Sequence, residues 1–150
     1  GGGALFDLGP YALGAGKYAF GAHPIDVQCR VTAWHNGVDV AFSLMAVYPE
    51  QRVLIGHFGF NTEYCNTLEL LGAGMSVRFD KAFTTLPNAD TQVLVRASNR
   101  ASELTPERGD NFALFFADVI AHIQAGQQAI LTQNLLDDAI VLAQLMQSAT

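Results

Sequence analysis

Residues 25–48, IDVQCRVTAWHNGVDVAFSLMAVY, decide what kind of chain this is. Ile25, Val27, Cys29, Val31 and Ala33 alternate with Asp26, Gln28, Arg30, Thr32 and Trp34, the period of two that belongs to a half-buried β-strand. Asn36-Gly37 comes next, a pair that tolerates the left-handed backbone of a two-residue hairpin. The second run, Val38 to Tyr48, sets Val38, Val40, Phe42, Leu44 and Ala46 on one face and Ala41, Met45 and Val47 on the other. The stretch predicts two antiparallel strands, the second of them covered on both sides.

Working upstream, Leu5, Leu8, Tyr11 or Ala12, Ala15 and Tyr18 or Ala19 recur at helical spacing, with Gly21 placed to end the helix in a left-handed conformation. Pro10 falls inside this segment, so the helix is expected to kink at Pro10 or to begin there. Downstream, β-type runs lie at Val53 to Phe60, Thr67 to Leu71, Met75 to Phe79 and Gln92 to Ala97, separated by turn residues such as Gly72-Ala73-Gly74 and Leu86-Pro87-Asn88. After Pro106 the period returns to 3.6. Asp110 is the expected N-cap of a helix from Asn111 to Ala125 with an apolar stripe of Phe112, Phe115, Phe116, Val119, Ile120 and Ile123, and a last helix runs from about Gln133 to Gln147. Helix, meander and helices together predict one α+β domain over residues 1–150, an open and mostly antiparallel sheet of about six strands with helices on one face.

Half of the 150 residues are hydrophobic and 15% charged, with a net charge of −6, so disorder is excluded and a packed core is expected. No window carries a run of Lys and Arg, which leaves nothing to track a nucleic-acid backbone. Uncharged stretches such as Leu8 to Gly16 fall short of the ~20 apolar residues of a membrane span. The two cysteines, Cys29 and Cys65, form no CxxC pair and sit among β-forming residues; buried reduced thiols are expected, which suits a cytoplasm. Gly1-Gly2-Gly3 runs into Ala4-Leu5-Phe6 with no initiating Met, as in a fragment.

Little of the chain invites chemistry. Gly14, Gly16 and Gly21 follow no strand, and Gly72-Ala73-Gly74 joins two strands, so a dinucleotide-binding turn is not expected here. His23, His35, His57 and His122 are scattered, so no metal site is expected. A Cys29 or Cys65 nucleophile with His57 as base is a remote hydrolase reading beside that of two packed thiols. Asn61, Glu63, Tyr64, Arg78 and Arg96 could touch a substrate but read first as surface or strand-end residues. What remains is Asp7 and Tyr11, four residues apart, which a helix places on one face with Cβ atoms roughly 5 to 6 Å apart. A carboxylate and a phenol can relay a proton, and Gly1 to Gly3 and Gly9 would leave room for a ligand or backbone to approach. The competing local reading has Asp7 capping the helix and Tyr11 packed in the core.

The string GGGALFDLGPYALGAGKYAFG with the following HPIDVQ resembles the opening of the C-terminal domain of the Gfo/Idh/MocA oxidoreductases, the family of glucose-fructose oxidoreductase and inositol dehydrogenase. The resemblance continues through Gly37-Val38-Asp39, Gly59-Phe60, Asn66 to Gly72, Phe79 to Phe83 and Asp110-Asn111-Phe112, and covers essentially the whole chain. It implies an α+β domain like the C-terminal domain of glyceraldehyde-3-phosphate dehydrogenase, forming the substrate wall and, through its open sheet, a homodimer or higher oligomer. It implies NAD or NADP bound mainly by a separate N-terminal Rossmann domain, and a small sugar or nucleotide-sugar substrate. In the family's motif Asp-x-Gly-x-His/Tyr the last residue is the proton donor or acceptor. Here that residue is Tyr11, with Asp7 one turn before it. The family's lysine belongs to the other domain; neither Lys17 nor Lys81 has its context, and the 150 residues alone are expected to be inactive. A non-catalytic dimerisation or sugar-binding module of the same lineage is the alternative.

Overall fold

The computed structural model describes residues 2–85 and 90–149, in two compact units, residues 1–63 with 132–150 and residues 64–131. Gly1 and the expected Leu86-Pro87-Asn88 break lie outside the described residues.

The first unit begins with α1 (Ala4–Phe20), then β1 (Asp26–His35), β2 (Val38–Tyr48), a short 3-10 turn at Pro49–Gln51 and β3 (Arg52–Gly59), in an antiparallel sheet of order β1-β2-β3. The β1–β2 hairpin turns on Asn36 and Gly37, both at positive φ (49° and 77°), the geometry whose twist matches that of the strands it joins. Gly21 closes α1 in the left-handed region, its N–H donating to Lys17 O at 2.8 Å. Pro10 neither starts nor interrupts the assigned helix: its ring faces solvent, and only its missing N–H marks the turn.

The core of this unit lies on one face of the sheet. Phe42, Leu44, Ala46 and Tyr48 of β2 meet Ala4, Leu5, Ala12 and Leu13 of α1 and Val141 and Leu145 of the last helix, α3 (Gln128–Ser148). Phe42, Tyr48 and Leu145 are fully buried, and Phe42 and Leu145 are each worth about 1.5–3 kcal/mol of transfer free energy. Close approach is what brings the helices in. A Cβ on Gly9 would stand 3.0 Å from Leu142 Cδ1 and 3.3 Å from Leu145 Cδ2, and one on Gly16 would overlap the Tyr48 phenol. Among the described residues of this unit, no helix packs on the opposite face of the sheet. Met45, Val53 and Ile55 are exposed there, whereas Ala41, expected on the same patch, is buried beside the bulge where β1 shifts register opposite it.

The second unit is a meander, β4 (Thr67–Gly72), β5 (Met75–Asp80), β6 (Val93–Ala97) and β7 (Arg100–Leu104), all antiparallel, followed by α2 (Asn111–Gln124). Asp110 caps α2 as expected, its Oδ1 accepting the N–H of Phe112 (2.9 Å) and Ala113 (3.1 Å). The apolar stripe of α2 is solvent-exposed from Phe112 to Ile123 apart from a half-buried Val119. The α+β class and antiparallel pairing agree with the sequence; the described strands number seven, in sheets of three and four. The strand beyond the expected set is β7, whose RASEL carries no apolar alternation because an edge strand is exposed and charged. α3 starts at Gln128 rather than Gln133, directly after Gly126 (φ 70°) ends α2.

Candidate functional site

One side of α1, made of Ala4, Leu5, Gly9, Ala12, Leu13 and Gly16, is buried. The other presents Phe6, Asp7, Pro10, Tyr11, Gly14 and Tyr18 to solvent. Asp7 and Tyr11 are therefore on one exposed face, a single turn apart. Both competing local readings fail on this geometry. Asp7 is past the cap position, its N–H already donating to Gly3 O at 3.1 Å, and Tyr11 is 44% exposed rather than packed in the core.

The helix start is held in a way the sequence did not announce. Gly3 is the N-cap and has no side chain to offer; the Leu5 N–H instead donates to Asp39 Oδ2 on β2, at 2.7 Å. A Cβ on Gly3 would overlap that carboxylate. The glycines expected to clear a ligand's path to Asp7 and Tyr11 thus admit protein instead: Gly3 admits Asp39, and Gly9 admits the leucines of α3. At the far end, Lys17 Nζ donates to Asp138 Oδ1 of α3 at 2.7 Å, so its ammonium is spent on joining two helices.

The other sequence candidates separate. Cys29 is buried against Leu44, and burial, then the nearby Asp39 charge, push its thiol up. His57 lies on the opposite face of the sheet, its Nδ1 2.9 Å from Ser43 Oγ, so the Cys29–His57 pairing is not formed. Cys65 is not a packed strand thiol: it is exposed ahead of β4, 3.5 Å from Thr67 Oγ1. Arg78 Nε donates to Asp80 Oδ1 at 3.1 Å, while Asn61, Glu63 and Arg96 are exposed.

Tyr64 belongs to a polar knot. Asn66 Nδ2 donates to Tyr64 Oη (3.1 Å) and to Thr84 Oγ1 (2.6 Å), while Asn66 Oδ1 accepts the Phe83 N–H (2.9 Å). Hydrogen bonds from Thr84 and Asn66, with the Lys81 charge behind them, hold the Tyr64 phenol below its ordinary value. Periodicity cannot reveal such a knot, since its members are polar residues of a loop and a strand approach.

Among the described residues no three His, Cys, Asp or Glu side chains gather as metal ligands, and no helix is long and apolar enough to cross a membrane. The two glycine stretches are used otherwise. The helix N-terminus that follows Gly2-Gly3 is already occupied by the Asp39 carboxylate, and Gly74 (φ 79°) lies in the β4–β5 hairpin.

The chain matches no protein-family profile and no curated protein. Solved structures do match. An aldose-aldose oxidoreductase from Caulobacter crescentus complexed with glycerol superposes with a TM-score of 0.83 at 18% identity, over 98% of this chain and 45% of that one. A variant of KijD10, a 3-ketoreductase from Actinomadura kijaniata in complex with TDP-benzene and NADP, gives 0.77 at 22% identity, over 99% and 48%. The open conformation of KijD10 gives 0.73 at 23% identity, over 99% and 46%. The fold is that of one half of these oxidoreductases. The chain spans about half the length of the structures it matches, and the architecture expected from the Gfo/Idh/MocA resemblance is the one observed.

Proposed function

We propose that this chain is the C-terminal, substrate-binding and oligomerisation half of an NAD(P)-dependent sugar or polyol oxidoreductase, in which Asp7 and Tyr11 handle the substrate proton. The observation that carries the reading is the exposed Asp7–Tyr11 face of α1, on a fold shared with a 3-ketoreductase solved with NADP and TDP-benzene and with an aldose-aldose oxidoreductase solved with glycerol. The nicotinamide, held by the other half of the protein, supplies hydride exchange. This chain contributes the partner step: Tyr11 Oη takes or returns the proton of the reacting hydroxyl, and Asp7 orients it from one turn away. Lys17 is paired with Asp138, and the lysine that would assist Tyr11 is expected from the other half of the protein.

The face of the β1–β3 sheet opposite α1 supports assembly. Met45, Val53 and Ile55 form an exposed apolar patch on one sheet face, the kind of surface a second copy covers. A sugar or nucleotide sugar as substrate and a reducing cytoplasm, in which Cys29 and Cys65 remain free thiols, complete the reading.

The deciding experiment is steady-state kinetics of the complete protein with NAD(H) or NADP(H) and a panel of sugars and nucleotide sugars. Tyr11→Phe is expected to lower kcat by about 10² to 10⁴ with cofactor affinity unchanged. Equal kcat in the two proteins would make Tyr11 a bystander and overturn the assignment.

A further inference from the structure

The first turn of α1 is weakly held by its own sequence. A helix leaves its first N–H groups without intrahelical partners, and the Gly3 cap brings no side chain to them. Pro10 has no N–H to give to the Phe6 carbonyl, so the turn carrying Asp7 is joined to the turn carrying Tyr11 by one bond fewer than usual. Against this, the Asp39 carboxylate accepts the Leu5 N–H at 2.7 Å, a charged acceptor at the positive end of a helix. Asp39 is itself firmly placed. It follows the Asn36-Gly37 turn on β2, the central strand of the sheet, and pairs with Trp34 of β1, while the last residue of β2, Tyr48, meets α1 again at Gly16. β2 therefore grips α1 at both ends, with Asp7 and Tyr11 between the two grips.

We propose that Asp39 is a positioning residue for the Asp7–Tyr11 pair: it caps α1 from the central strand and so fixes the first turn in register with the rest of the helix. This rests on the functional reading above. Gly3 is the necessary counterpart, because a side chain there would occupy the space of the Asp39 carboxylate. Its extended backbone (φ −81°, ψ −173°) is that of an ordinary N-cap residue, so a serine at this position could cap the helix once Asp39 is shortened.

The arrangement predicts a reciprocal rescue in the complete protein. Asp39→Ala should speed hydrogen exchange at the Leu5 amide by about 5- to 30-fold, the effect of losing one cap. It should lower kcat per folded molecule by about 10- to 100-fold, the cost of a small misplacement of reacting groups, with KM moving far less. Asp39→Asn keeps an oxygen acceptor and should retain kcat to within about threefold. Gly3→Ser alone should be impaired by collision, whereas Gly3→Ser with Asp39→Ala should restore both Leu5 protection and kcat above either single variant. A role confined to overall stability would lower the folded fraction in Asp39→Ala and leave kcat per folded molecule unchanged. That result overturns the proposal, as does a double variant that regains Leu5 protection without regaining turnover. The functional reading fails separately, on an unimpaired Tyr11→Phe, and takes the positioning role with it.

Discussion

Removing one oxygen from Tyr48 should stabilise this protein. Tyr48 ends β2 fully buried, its ring 4.7 Å from that of Phe20, and its hydroxyl lies against Gly16 with no hydrogen-bond partner among the described residues. A buried hydroxyl without a partner costs about 1–3 kcal/mol. The oxygen's dispersion contacts return about 0.1–0.2 kcal/mol each, too little to offset that. Tyr48→Phe keeps the ring and loses the orphan, for a net gain of about 1 kcal/mol, or roughly 2–4 °C in Tm for a chain of this size. The pH dependence supplies a second signature. Burial pushes the Tyr48 phenol up, so the folded state holds its proton more tightly than the unfolded state. The associated stability is intact below the ordinary phenol value of ~10 and is lost as pH climbs toward the raised folded value. The advantage of the phenylalanine variant should therefore widen above pH ~10. Urea unfolding of both proteins at neutral and alkaline pH, followed by circular dichroism, measures both effects. A Tyr48→Phe variant less stable than the parent by 1 kcal/mol or more would show that the hydroxyl is bonded, and the reasoning would fail. Gly16→Ala is the control: its Cβ overlaps the phenol, so it should destabilise by about 1–3 kcal/mol, and less so when Tyr48 is phenylalanine.

Ile55, 79% exposed on the sheet face opposite α1, should govern assembly: Ile55→Asp is expected to shift sedimentation toward the monomer with the circular dichroism unchanged, and an unchanged mass would remove this face as the interface. In the β6–β7 turn Ser98 and Asn99 both hold positive φ (49° and 62°), so Asn99→Gly should raise the urea midpoint through a gain of about 0.5–1 kcal/mol, whereas a loss would mean the Asn99 side chain bonds locally. Gly9→Val should destabilise by about 1–3 kcal/mol in the same assay, because its methyls must enter space now held by Leu142 and Leu145; a neutral result would show that α3 can move away at little cost.

Where a structural feature is decided by neighbours in sequence, the sequence determined it. Asn36-Gly37 makes its turn from its own backbone preferences, Gly21 ends α1 in the left-handed region, and Asp110 caps α2 from two and three residues away. The alternation around Phe42 and Leu44 and the Asp7–Tyr11 spacing are legible for the same reason: a strand or helix turns periodicity into a face. The edge strand β7 was not legible, because its polar residues answer to solvent rather than to a core.

Only the tertiary structure decided features that join residues far apart in the chain. The cap of α1 comes from Asp39, thirty-four residues beyond the amide it accepts, and no local pattern marks a glycine as the recipient of a distant carboxylate. Read in sequence, Gly3 and Gly9 suggested room for a ligand or another backbone; folded, they and Gly16 are places where a carboxylate, two leucines and a phenol come within contact of the helix backbone. Lys17 looked like an unassigned cation until Asp138 met it across two helices, and Cys65, which local β-propensity placed in a packed strand, is exposed ahead of β4. Periodicity assigns a residue to a face. What presses on that face is set by packing between distant segments, and that is where the support of the Asp7–Tyr11 pair lies.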